Sequence, residues 1–203
     1  MTERNFLMVI GGKLISVDDW LEVRNPATGA VIGEVPDCSD DMLNTAVSAA
    51  RTAFPTWARM PIKERRSALE TVADAIAAHA DELKDLLTAE QGKPHVDALG
   101  EVMAAAHFLR SIASFSLPIV TNEDTDGRRS VTRRVPIGVV GAIAPWNFPV
   151  LLACFKIGPG LLAGNTIVLK PSPYTPLTTL RIGEIANGLL PEACSISLAI
   201  GAD

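Results

Sequence analysis

The sequence predicts an α/β protein: an incomplete Rossmann-like parallel sheet with flanking helices, preceded by an N-terminal hairpin and three helices. Three observations carry this. Between Ile137 and Ile200, short and almost wholly apolar strand candidates alternate with helical segments, the pattern of strands covered on both faces. Between Ser39 and Ala113, apolar residues recur at helical spacing, so each helix carries a stripe that must pack on something. Before Pro36, Gly-Gly and Asn-Pro pairs cut the chain into short strands.

In chain order, Phe6 to Ile10 and Lys13 to Ser16 flank Gly11-Gly12, which reads as a hairpin. Leu21 to Val23 and Val31 to Val35 bracket the turn Asn25-Pro26-Ala27-Thr28-Gly29. Ser39 is the expected N-cap of the first helix, whose stripe is Leu43, Ala46, Val47, Ala50 and Phe54. The second helix is predicted from Ile62 to Glu90 on Leu69, Val72, Ala73, Ile76, Ala80, Leu83 and Leu87, and ends at Gln91-Gly92-Lys93. Pro94 opens the third, with Leu99, Val102, Met103, Ala106, Leu109 and Ala113 facing inward.

Thr121 to Gly127 reads as a polar loop and Ser130 to Val135 as an alternating strand stopped by Pro136. A strand from Ile137 to Ala144, a helix from Val150 to Leu162 and a strand from Thr166 to Leu169 follow. A helix from Pro176 to Leu190 and a strand from Ser195 to Ile200 complete one mononucleotide-binding half.

A chain of 203 residues suffices for one domain. Its net charge of −5 and lack of an extended basic run argue against nucleic acid or an anionic membrane as partner. The pairs Arg65-Arg66, Arg128-Arg129 and Arg133-Arg134 read as solvated. Cys38, Cys154 and Cys194 are odd in number and far apart, so no disulfide framework is expected. Met1 to Asn5 carries no signal-peptide core, and a cytoplasmic protein is expected. The apolar stretch from Ile137 to Leu169 is too often interrupted, at Pro145, Asn147, Pro149, Lys156, Pro159 and Asn165, to span a bilayer.

Gly158-Pro159-Gly160-Leu161-Leu162-Ala163-Gly164 narrowly misses a dinucleotide fingerprint. A helix opened there would end almost at once at Gly164-Asn165, so close packing and a C-cap are the better reading. His79, His95 and His107 lack ligand spacing, and no metal is expected.

Pro145-Trp146-Asn147-Phe148-Pro149 holds an Asn between aromatic residues, pinned by prolines where an apolar strand ends. Open α/β sheets bind ligands along that carboxyl edge. The Asn147 amide there could donate to a developing oxyanion, or cap the helix that starts near Phe148; the spacing leaves both open. Lys170, emerging from Thr166 to Leu169, could bond ribose hydroxyls or a 2′-phosphate, or be an ordinary exposed lysine.

These residues, with the stretch Gly164-Asn165-Thr166-Ile167-Val168-Leu169-Lys170-Pro171-Ser172-Pro173, resemble the aldehyde dehydrogenase superfamily. Lys156, Pro176-Leu177, Asn25 to Gly29, Phe54 to Trp57 and Glu90-Gln91-Gly92-Lys93-Pro94 extend the resemblance over essentially the whole chain. It implies NAD(P)-dependent oxidation of an aldehyde to a carboxylic acid. A Cys thiolate attacks the aldehyde, Asn147 stabilises the oxyanion, hydride passes to the cofactor, and a Glu-activated water hydrolyses the thioester.

By the same resemblance, Ile143, Ala144, Pro145 and Trp146 line the nicotinamide-cofactor groove and Lys170 holds the adenosine ribose. Phe148, Leu152 and Phe155 wall the aldehyde channel. Pro173 stands where many members carry a Glu that favours NAD, and with Lys170 and Ser172 able to meet a 2′-phosphate, NAD or NADP is admitted. Residues 122–136 resemble the strand arm used for subunit pairing, which implies a homo-oligomer of the full-length protein. Residues 1–203 would then be a partial NAD(P)-binding domain, with the catalytic domain, its nucleophilic Cys and its general-base Glu beyond Asp203. None of the three cysteines matches the nucleophile, so this chain alone is expected to be inactive. The alternative is an inert truncated or split-gene product that binds only cofactor or a partner chain, such as a missing C-terminal half.

Overall fold

The structure, a computed structural model, describes residues 6–190 and 196–198. The N-terminal part contains β1 (Met8–Ile10), β2 (Lys13–Ile15), β3 (Trp20–Arg24) and β4 (Val31–Pro36). Four helices follow: α1 (Asp40–Arg59), α2 (Ile62–Ala78), α3 (Ala80–Gln91) and α4 (His95–Ala113). A ribbon of β5 (Val120–Thr125) and β6 (Arg128–Thr132) leads to β7 (Val139–Ile143), α5 (Pro149–Leu162), β8 (Thr166–Lys170), α6 (Leu177–Ala186) and β9 (Ile196–Leu198).

The main sheet runs β2-β1-β9-β8-β7 among the described residues. β7, β8 and β9 are parallel, in register from Val139↔Thr166 to Ile143↔Lys170 and from Ile167↔Ile196 to Leu169↔Leu198. The predicted strand–helix–strand unit is therefore present. The sheet is mixed overall, because β1 lies antiparallel to β9 at Val9↔Leu198 and so flanks the three parallel strands on that side. Gly11 and Gly12, at φ +57° and +77°, close the β1–β2 hairpin with the left-handed pair such a turn requires. Ser195 and the residues beyond Leu198 in the last predicted strand lie outside the described residues.

Both faces of the sheet are covered. Val168 packs with Ile10 and with Ala46 and Ala50 of α1 on one side. Ile167 and Leu169 join the larger core, with Leu161 of α5, Leu177 and Leu180 of α6, and Leu69, Val102 and Leu109 of α2 and α4. Alternate residues of one strand thus feed two cores. Among the described residues, no helix is long and apolar enough to cross a membrane.

Several boundaries correct the sequence reading. The helix predicted from Ile62 to Glu90 breaks at His79 (φ −103°, ψ 18°), where α3 turns away to meet α4 and α6. The apolar period continues across that break and conceals it. Pro94 is the N-cap of α4 rather than its first residue. The supposed loop from Thr121 to Gly127 forms β5 and the Asp126-Gly127 turn, and β6 ends at Thr132 instead of Val135. Both faces of that ribbon are largely exposed, so no apolar alternation announces its first strand. Leu43 and Met103, expected inside, are 43% and 42% exposed. Small residues, Ala46 and Ala50 of α1 and Ala98, Ala105 and Ala106 of α4, fill the contact faces instead.

The glycine-rich near miss is helical. Gly158 and Gly160 lie within α5, where an added Cβ would meet Leu109 Cδ2 at 3.2 Å and Ile167 Cδ1 at 2.8 Å. Gly164, at φ +91°, follows the C-cap Ala163.

Candidate functional site

β7 and β8 end side by side at Ile143 and Lys170, and the Ala144 N–H extends the pairing by donating to Lys170 O at 2.9 Å. The chain then passes through Pro145, Trp146, Asn147 and Phe148 into α5, whose first residue is Pro149. Thr175 Oγ1 donates to Trp146 O at 3.4 Å. Asn147 O accepts from Lys93 Nζ at 3.3 Å and from Gln91 Nε2 at 3.5 Å.

The turn's other support is charged. Lys93 Nζ lies 4.2 Å from the centre of the Phe148 ring and is paired with the Glu101 carboxylate. Glu101 Oε1 accepts from the N–H groups of Val150 and Leu151 at 2.9 and 3.2 Å. A buried acid thus supplies the N-terminal cap that α5 lacks in its own sequence, at the end where the helix dipole favours negative charge. Phe148 is the N-cap residue and makes no side-chain cap bond, so Asn147 does not serve as the helix cap. Of the two readings open in the sequence, the capping one is removed.

Beside it, Glu90 does the same for α6, accepting from Leu177 N–H at 2.6 Å and Thr178 N–H at 3.0 Å. Burial pushes the Glu90 carboxyl up to about 7, against the pull of those donors, and the negative charge of Glu101 adds to the rise. Helix N-termini after parallel strands commonly hold phosphates. Both such ends here are filled by protein carboxyl groups, so the N–H groups they bond are not free for a phosphate.

The residues singled out by sequence converge on this edge with different roles. Ile143 and Trp146 are 71% and 57% exposed, and Pro145 and Asn147 are also exposed. Ala144 is buried. Phe148 and Phe155 are half-exposed, Leu152 less so, and Phe155 lies 4.3 Å from Phe108, ring centre to ring centre. Lys170 is partly exposed. Ser172 is buried, its hydroxyl accepting from Tyr174 N–H at 3.3 Å, while Pro173 is partly exposed. These exposed faces at the ends of two parallel strands suit a dinucleotide laid along the edge, with Lys170 as the cation that can meet its ribose or phosphate.

A cavity of about 560 Å³ lies elsewhere, among Val72, Leu109, Cys154, Leu169 and Ile182, and none of these site residues lines it. Cys154 is buried, its thiol pushed to about 12 by burial and by Glu101. Burial, with Asp37 and Asp40, also raises Cys38. Neither is poised as a thiolate. Cys194 lies outside the described residues.

Sequence reasoning missed Lys93, Glu90 and Glu101 as supports of the site. A signal existed: Glu101 falls on the buried face of α4 with Ala98, Val102 and Ala105, where an acid needs a partner. Asn165 was also passed over. It accepts from Ile137 and Gly138 N–H at 2.7 and 3.1 Å and donates to Gly160 O at 3.2 Å, tying the approach to β7 to α5.

Residues 15–196 match the aldehyde dehydrogenase family. The chain is 43% identical over 182 residues to 3,6-anhydro-alpha-L-galactose dehydrogenase of Streptomyces coelicolor, a match covering 86% of this chain and 37% of that protein. The crystal structure of aldehyde dehydrogenase from Brucella melitensis biovar abortus 2308 superposes with a TM-score of 0.91 at 35% identity, over 96% of this chain and 41% of that one. The structure of 3,6-anhydro-L-galactose dehydrogenase in complex with NADP (NAP) does so with a TM-score of 0.87 at 33% identity, over 98% and 43%. The chain therefore spans less than half the length of each.

Proposed function

This chain belongs to the aldehyde dehydrogenase family, and from that premise we propose that the edge formed by Ile143 to Phe148 and Lys170 serves NAD(P)-dependent oxidation of an aldehyde to a carboxylic acid. One observation carries the proposal: Asn147, in the turn that leads from a parallel strand into α5, is exposed with no capping duty, and its carbonyl accepts from Lys93 and Gln91. An amide so placed can donate to the aldehyde oxygen as negative charge develops there, an interaction worth about 2.7–4 kcal/mol in the transition state.

When bound, the dinucleotide supplies the hydride acceptor. The chain's part is to hold and orient it. Ile143, the Ala144 backbone, Pro145 and Trp146 line the groove, and the Lys170 ammonium bonds the adenosine ribose or a 2′-phosphate. Phe148, Leu152 and Phe155 wall the aldehyde channel and exclude water. Pro173, bearing no carboxylate, leaves NADP admissible beside NAD, and the related dehydrogenase in complex with NADP supports this.

Residues 1–203 are read as the partial NAD(P)-binding domain, and 122–136 as an arm that pairs subunits in a homo-oligomer. The ribbon exposes Val120 and Val131, 47% and 44%, with no core of its own to cover them. Because Cys38 and Cys154 are raised rather than activated, the nucleophilic thiol and its base are assigned outside the described residues. Both cysteines are free, which suits a reducing, cytoplasmic compartment. The buried state of Cys154 also favours a second reading, cofactor binding by these residues without turnover.

The test is titration of NAD and NADP against intrinsic Trp fluorescence, with aldehyde oxidation assayed on the same sample. Trp146 sits at the groove and should report binding. Saturable binding supports the groove, and turnover with it supports aldehyde oxidation while overturning the expectation that residues 1–203 alone are inactive. Binding alone supports the second reading, and absence of binding sinks both.

A further inference from the structure

We propose that Lys93, backed by Glu101, is a positioning residue for the reaction: it holds the Trp146-Asn147-Phe148 turn so that the Asn147 amide points at the substrate oxygen. The proposal rests on the reading of Asn147 as the oxyanion donor. Lys93 stands on the Gln91-to-Pro94 corner between α3 and α4, far from the turn in sequence. Its ammonium meets three groups at once. It pairs with the Glu101 carboxylate, donates to Asn147 O at 3.3 Å, and lies 4.2 Å from the centre of the Phe148 ring.

The arrangement is largely shielded from water, the Lys93 side chain being 10% exposed and that of Glu101 0%. Shielding keeps the attraction strong and the geometry narrow. Glu101 is itself fixed by Val150 and Leu151, so the ammonium is anchored to the first turn of α5. The carbonyl that Lys93 holds belongs to the residue whose amide does the proposed work. Holding that carbonyl restrains the backbone torsions at the Cα that carries the amide, and displacement of a catalytic group by about 1 Å can cost on the order of 100-fold in rate. Gln91 Nε2, at 3.5 Å from the same carbonyl, is too long to hold it alone.

The substitutions are Lys93→Met, Lys93→Arg and Glu101→Gln in the full-length protein. Glutamine keeps an acceptor for the Val150 and Leu151 N–H groups but weakens the pair, so Glu101→Gln carries the test if Lys93→Met fails to fold. Two readouts are taken: hydrogen exchange across residues 144–152 without cofactor, and steady-state kinetics. Exchange in that segment is expected to speed up about 10-fold or more. The kcat should fall about 10- to 100-fold while the cofactor KM moves less than about 3-fold, with Lys93→Arg recovering part of the loss. Unchanged exchange in Lys93→Met and Glu101→Gln overturns the proposal, as does faster exchange with undiminished kcat. Faster exchange in the variants, with no aldehyde turnover by the unsubstituted protein, supports the clamp and sinks the aldehyde reading.

Discussion

The Glu90 carboxylate, on α3, accepts the backbone N–H of Leu177 at 2.6 Å and so closes the start of α6. Leu177 follows Pro176, which holds the N-cap position without offering a side-chain acceptor. A second acid, Glu101, stands in the same relation to α5. Two helices that follow strands of the sheet are therefore capped from outside, by residues on the α3–α4 hairpin.

Burial raises the Glu90 carboxyl from 4.5 to about 7, so the folded chain holds this proton more tightly than the unfolded chain does. Between those values the unfolded state has released the proton while the folded state keeps it, and stability falls as pH rises through the window. The full difference is worth about 3 kcal/mol. Glu90→Gln removes this titration. Thermal melts from pH 5 to 8 should show the unsubstituted protein losing stability relative to Glu90→Gln as pH rises. Melting temperatures that stay parallel across the range would count against it.

Asn147→Ala is expected to lower kcat about 100- to 1,000-fold, the loss typical for one oxyanion donor. The side chain is exposed and caps nothing, so the melting temperature should stay nearly unchanged. Wild-type turnover in this variant would refute the assigned role.

Gly164 has φ +91°, and an added Cβ would lie 3.1 Å from Arg65 Nη1. Arg65 is buried there, its Nε donating to Leu162 O at 3.0 Å and its Nη1 to Met60 O at 2.8 Å, so it has little room to retreat. Gly164→Ala should destabilise the fold by about 1–3 kcal/mol. Urea unfolding measures it, and a loss indistinguishable from zero would contradict the strained geometry.

Pro173→Glu should shift preference from NADP toward NAD, because a carboxylate near Lys170 would repel a 2′-phosphate and accept from ribose hydroxyls. The ratio of kcat/KM values for the two cofactors is expected to move at least about 10-fold, by the cost of juxtaposed like charges. An unmoved ratio would place the 2′ position elsewhere.

The local patterns were readable wherever one face of an element is buried. Val139 to Ile143 and Thr166 to Lys170 show themselves as apolar strands, and Ser39 caps α1 as its type suggests, accepting Met42 N–H at 3.3 Å. The Pro145-to-Pro149 turn was visible because its residue types make poor core. β5 was hidden because neither of its faces is buried, and the break at His79 because the helical period runs through it.

By itself, then, the sequence determined the alternation of strands and helices, the turn that carries Asn147 and the family resemblance. Periodicity and turn chemistry act over a few residues and need no partner to be recognised. Tertiary structure alone decided what each buried face meets: β1 against β9, Asn165 against Ile137, Lys93 against Asn147, and two acids against helix ends. A glutamate in a helix, or a lysine in the corner between two helices, reads as solvent-facing until packing removes the water. Only then must its charge be satisfied by whatever backbone the fold has brought within reach.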